Sequence, residues 1–114
     1  MIVATWALWP SKARSLVGKY SCKYPYGVET VELKTDGRFS QTIAVSGRPV
    51  LTNSGEWTEV NGDIVLHDGF AIDDGFGSPV TIPRRMTWQM QIASSFRSPR
   101  FIVNEDLGYT FDKP

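Results

Sequence analysis

The chain of 114 residues carries one cysteine and one histidine, and each scarcity removes a class of chemistry. Cys22 alone cannot close an internal disulfide, so it says nothing about redox compartment and reads as a small buried strand residue. A thiol nucleophile needs its base in contact, and His67 lies far from Cys22 in sequence, so the two do not form a motif. No metal-ligand cluster, nucleophile motif or Gly-rich phosphate loop occurs, and no cofactor is expected.

An excess of charge of one sign is also missing. Lys plus Arg equals Asp plus Glu at 12 each, which leaves no overall field to draw in nucleic acid, and no nucleic-acid partner is expected. Long apolar runs are absent too. Residues 1–9 are apolar but far short of the ~20 that cross a bilayer, so no transmembrane span is expected. They also lack the basic first region and small-residue cleavage site of a signal peptide. Residues 1–15 are therefore read as an apolar lead-in with a short helical turn after Pro10. It either covers one end of the core or is the remainder of a longer export or anchor segment, which would favour the cell envelope or periplasm. Without linker, repeat or low-complexity tract, residues 16–114 make one domain, which buries roughly two thirds of its unfolded surface.

What the chain does have is aromatics and alternation. Four Trp, four Tyr and six Phe suit pleated surfaces. Residues 29–34 and 39–45 each alternate apolar with polar, the period of a half-buried strand. A two-residue turn at Asp36-Gly37 would place Lys34 beside Phe39. A three-residue loop with Gly37 left-handed pairs Leu33 with Phe39 instead, setting Val31, Leu33, Phe39 and Ile43 on one face and pointing Gln41 inward with them. At Asn61-Gly62 the tight turn fits, pairing Trp57 with Leu66 and Glu59 with Ile64. Glu59 then either faces the apolar side at a barrel end or follows a bend in its strand.

Strand one runs over residues 16–24 to a turn at Pro25-Tyr26-Gly27. A fourth strand over residues 49–60 is expected to bulge near Asn53-Ser54-Gly55, and a fifth starts at Ile64. Residues 68–79 are dense in turn formers and read as a long loop, the best place for binding groups. Their acidic side chains do not match the calcium spacing of an EF-hand. Trp88, Met90 and Ile92 share a face of strand six; Phe101, Val103, Tyr109 and Phe111 share one on the last two strands. Arg84, Arg85, Arg97 and Arg100 read as solvated strand ends rather than an anion site.

Eight short strands without crossover helices predict an all-β fold: an eight-stranded antiparallel up-and-down meander closing into a small barrel after a short lead-in. Tyr20, Leu33, Phe39, Ile43, Trp57, Leu66, Trp88, Met90, Phe101 and Phe111 are the inward candidates. Gly18-Lys19-Tyr20, the Asp36-Gly37 hairpin, Gly55-Glu56-Trp57 and Asn61-Gly62 together resemble the lipocalin-like small bacterial proteins of the calycin superfamily, over about residues 16–67. The resemblance implies a barrel with a site at its mouth, and gives Arg100 the role of the cation that packs across the first-strand aromatic.

The expected function is non-catalytic binding of a small apolar or amphipathic ligand at the barrel mouth, with Gln41, Trp57, His67, Phe70, Asp73, Asp74 and Trp88 as site residues. The alternative is a protein-interaction or inhibitor domain that uses the barrel exterior and the apolar N-terminus, including a homodimer through Trp6 and Trp9. A His67-dependent enzyme is the third reading.

Overall fold

The structure is a computed structural model that describes residues 16–73, 79–93 and 99–113, excluding the side chains of 72–73 and 79–84. Trp6, Trp9, Asp74 and the helical turn expected after Pro10 lie outside the described residues.

Eight strands follow one another: β1 Gly18–Tyr24, β2 Gly27–Leu33, β3 Arg38–Val45, β4 Leu51–Val60, β5 Asp63–Asp73, β6 Pro79–Ala93, β7 Arg100–Asn104 and β8 Tyr109–Phe111. They form one antiparallel sheet in chain order. The sheet curls until its edges meet, where Ser21 N–H donates to Asp112 O at 2.8 Å and Asp112 N–H to Ser21 O at 2.9 Å. The meander is thus a nearly closed barrel, which hides strand edges that an open sheet would present. Among the described residues no helix is long and apolar enough to cross a membrane.

The turns decide the register. Leu33 pairs with Phe39, Lys34 N–H donates to Arg38 O, and Gly37 takes φ 82, the left-handed conformation the three-residue loop requires. Asn61 and Gly62 take φ 52 and 87, and Trp57 pairs with Leu66. Glu59 lies half-buried at the lower end of the barrel, where its Oε2 accepts from Gly62 N–H at 2.8 Å. Alternation then fills the interior: Tyr20, Leu33, Phe39, Ile43, Trp57, Leu66, Met90, Phe101 and Phe111 are all buried, and Trp88 is half-buried, edge-on to Phe111 at 6.0 Å.

Three expectations change. The bulge is not in β4, which pairs regularly with β3 through Gln41↔Asn53, Ser40↔Ser54 and Phe39↔Gly55. It falls in β5, where Leu66 pairs with Trp88 but Gly69 with Met86, so one extra residue is absorbed and Asp68 turns left-handed at φ 63. Because the bulge consumes the turn-forming Asp68-Gly69 pair, the stretch 68–79 is not one long loop. β5 continues to Asp73 and β6 begins at Pro79. Finally, the cation over the first-strand aromatic is Lys113, whose Nζ sits 5.3 Å from the Tyr20 ring centroid. Its stem crosses Gly18, where a Cβ would stand 3.0 Å from Lys113 Cε. Arg100 instead pairs with Asp112 at 2.8 Å in a half-exposed bridge.

Candidate ligand site at the upper end of the barrel

The upper end carries the turns at residues 25–26, 46–50 and 105–108; the lower end carries those at 34–37 and 61–62. Side-chain parity along four strands brings a polar group into the upper half of the interior. Tyr24 shares a face with Tyr20 and Cys22, Glu29 with Val31 and Leu33, Gln41 with Phe39 and Ile43, and Asn53 with Trp57. Glu29, Gln41 and Asn53 are 0%, 1% and 8% exposed.

β4 and β5 part just here. Their pairing ends at Glu56↔His67, although β4 continues beside β3 as far as Ile43↔Leu51. Gly55 stands at the fork, where a Cβ would overlap the His67 carbonyl oxygen. Above it, side chains replace the missing ladder. Gln41 Oε1 accepts from Phe70 N–H at 2.9 Å and Gln41 Nε2 donates to Phe70 O at 2.9 Å. Asn53 Nδ2 donates to Asp68 O at 2.7 Å.

The Phe70 backbone fixes every amide in this cluster. A backbone N–H can only donate, so the Gln41 oxygen must face it, and the Gln41 nitrogen then turns to Phe70 O and to Glu29 Oε2. Asn53 in turn must present its nitrogen to Gln41 Oε1, at 3.1 Å, and to Asp68 O. Its Oδ1 is left buried with no hydrogen-bond partner among the described residues. At the other end of the network Tyr24 O–H donates to Glu29 Oε1 at 2.9 Å, and the Tyr24 ring stacks with Tyr26 and meets Tyr109 edge-on.

Burial pushes the Glu29 carboxyl up to about 8, against the pull of the Gln41 and Tyr24 donors, which favour the ionised form. Burial first, and then the neighbouring Glu29, hold the Tyr24 phenol above its ordinary range. At neutral pH the interior therefore holds a mostly neutral carboxylic acid, fit for hydrogen bonding.

On the outer face, the parting of β4 and β5 leaves an open cleft of about 390 Å³ lined by Thr52, Asn53, Ser54 and Arg85. A second cleft of about 460 Å³ follows the β1–β8 seam, lined by Ser21, Lys23, Gly108, Thr110, Asp112 and Lys113. Among the described residues no group of His, Cys, Asp and Glu could hold a metal ion. No family model, curated protein or solved structure matches the chain.

The expected site residues divide between these surroundings. Gln41 is the hub of the buried network, and Phe70 is joined to it through its backbone. Trp57 is in the lower core, 1% exposed, with its Nε1–H donating to Lys34 O at 3.0 Å. Trp88 lies along the wall below the β5 bulge, against Gly69. His67 is exposed, and its Nε2 stands 3.4 Å from Thr58 Oγ1. Asp73 closes β5, paired with Pro79. Tyr24, Glu29 and Asn53 are site residues absent from the expected set. The signal was present, since each lies on the parity of its strand's apolar residues, but a polar residue in an alternating strand is habitually assigned to the wet face.

Proposed function

We propose that this chain is a non-catalytic binding protein that takes a small amphipathic ligand at the upper end of its barrel. The observation that carries this reading is the buried polar network of Tyr24, Glu29, Gln41 and Asn53, ending in an Asn53 oxygen without a partner. Gln41 and Asn53 serve the β5 backbone, but stability alone gives no reason to bury the Glu29 carboxyl beside them or to leave the Asn53 oxygen unmet. A buried carbonyl oxygen left unsatisfied costs about 1–3 kcal/mol, a cost that packing alone does not explain. Lipocalin-like kinship belongs to the same proposal and is supported by Gly18 and Tyr20 with Lys113 across the ring.

The test is a titration of isotope-labelled protein with fatty acids, hydrophobic dyes and small polar amphiphiles. The expected result is saturable shifts of the amide signals of Gln41, Asn53 and Phe70 with at least one of them. If none moves these signals, the reading is abandoned.

A further inference from the structure

We propose that the edge of β6 above β7 is a docking site for an extended segment of another protein, one that carries an acidic residue between apolar ones and pairs with β6 as an added antiparallel strand. The site lies apart from the buried network and goes beyond the ligand reading above. β6 runs for 15 residues and β7 for 5, and β7 pairs with β6 only at Gln91, Ile92 and Ala93. Above that level β6 keeps β5 on one side, through Leu66↔Trp88, Gly69↔Met86 and Phe70↔Arg85. Among the described residues it has no strand on the other side.

The alternation of an antiparallel ladder identifies the groups left over. Ile92 N–H donates to Gly62 O at 3.0 Å, so Ile92 and every second residue before it, Met90, Trp88 and Met86, turn their backbone groups toward β5. Arg85 and Thr87 turn theirs away. On the parted edge of β5 the Gln41 and Asn53 amides take up such groups, but at Arg85 and Thr87 no strand or side chain does so among the described residues. Pro83 has no N–H and ends the row of donors, so the edge suits a paired segment of about five residues.

The side chains select the occupant. Met86 shares the inner face with the buried Met90 yet is 46% exposed, and Trp88 between them is half-buried. With Arg85 and Thr87 bonded to an added strand, Met86 falls at a non-hydrogen-bonded position, where facing side chains come closest, and an apolar residue there covers it. Arg85 is exposed on the outer face, its guanidinium 5.3 Å from the Phe70 ring, and has no carboxylate partner among the described residues. An acidic residue opposite it makes a cross-strand ion pair. A second copy of this chain fits less well, because antiparallel self-pairing centred on Arg85 sets two arginines face to face. Arginine and proline guard an edge against strands in general, and here the same arginine admits an acidic one.

The experiment titrates the isotope-labelled full chain with the end-blocked peptide Thr-Val-Thr-Val-Glu-Val-Thr, with the same peptide carrying Lys for Glu, and with one carrying Pro for the central Thr that would face Thr87. Shifts are followed at the amides of Arg85, Met86 and Thr87, together with hydrogen exchange at Arg85 and Thr87. The Glu peptide is expected to saturate these shifts and slow both exchange rates, the Lys peptide to bind about tenfold more weakly, and the Pro peptide to give no protection. Arg85→Glu, at an exposed position, should reverse the preference and favour the Lys peptide. The proposal is overturned if the Glu and Lys peptides bind equally well to both proteins, if bound peptide leaves Arg85 and Thr87 exchanging freely, or if no peptide binds. It also falls if these two amides are already protected in the protein alone, since the chain itself or a second copy then holds the edge.

Discussion

Replacing Glu29 by glutamine converts a titrating interior into one that ignores pH. In the folded protein burial lifts this carboxyl from 4.5 to about 8, whereas an unfolded chain ionises it near the ordinary value. Between those two pH values the folded state binds more protons than the unfolded state, so stability falls as pH rises. The stabilising contribution of the protonated acid is fully present below about pH 4.5 and is lost as pH climbs to the folded value. At 1.36 kcal/mol per pH unit, roughly 3 kcal/mol is lost by pH 7 and roughly 4–5 by pH 9. The amide introduced by Glu29→Gln is the uncharged counterpart of the protonated acid: its oxygen accepts from Gln41, and its nitrogen donates to the Tyr24 oxygen once that hydroxyl turns from donor to acceptor. Urea unfolding of both proteins at pH 4.5, 7 and 9 reads the difference directly. Expected is near-equality at the acid end and a growing advantage for Glu29→Gln above it, reaching several kcal/mol. Parallel stability profiles across that range would refute the burial of a neutral acid.

Other substitutions probe the elements that build the site. Gly55→Ala drives a Cβ into the His67 carbonyl and to 2.8 Å from Phe39 Cε1, and should cost about 3 kcal/mol in urea unfolding, because the fork of β4 and β5 must shift. Asp68→Val places a β-branched residue at φ 63 and should cost about 1–2 kcal/mol, whereas Asp68→Gly should lie within about 1 kcal/mol of the parent. Trp57→Phe strips Lys34 O of its 3.0 Å donor and leaves space in the lower core; a loss of about 2–3 kcal/mol is expected by the same measurement.

The hairpins are legible in the sequence because their turn residues and strand parities agree. Gly37 and Asn61-Gly62 accept positive φ, and only one register on each side keeps Leu33, Phe39, Trp57 and Leu66 together. Gln41 is legible for the same reason: it lies between Phe39 and Ile43, and no slip can expose it without exposing them. The upper half of β5 reads as a loop because Asp68-Gly69 has the composition of a turn. In this strand the same permissiveness makes a bulge, and nothing local distinguishes the two uses. The parting of β4 from β5 is not legible at all. It depends on Gln41 bonding Phe70 across 29 positions of sequence, a contact that strand period cannot express.

The bulge and the polar network are one device. An extra residue in β5 withdraws its upper half from β4, which would leave the bonding groups at Asp68 and Phe70 without strand partners. Two side-chain amides on neighbouring inward positions, Gln41 and its register partner Asn53, supply what the strand no longer does. An amide has both a donor and an acceptor, so Gln41 can satisfy Phe70 N–H and O together, as a strand residue would, and one donor remains for Glu29. A carboxylate at position 41 could accept from Phe70 N–H but would face its carbonyl with like charge. A valine would leave both groups unmet. The neutral Glu29 follows from the same geometry, since with both amides committed to β5 there is no cation in the network to hold an ionised carboxylate. Among the described residues, the buried side-chain atom this arrangement leaves unsatisfied is Asn53 Oδ1.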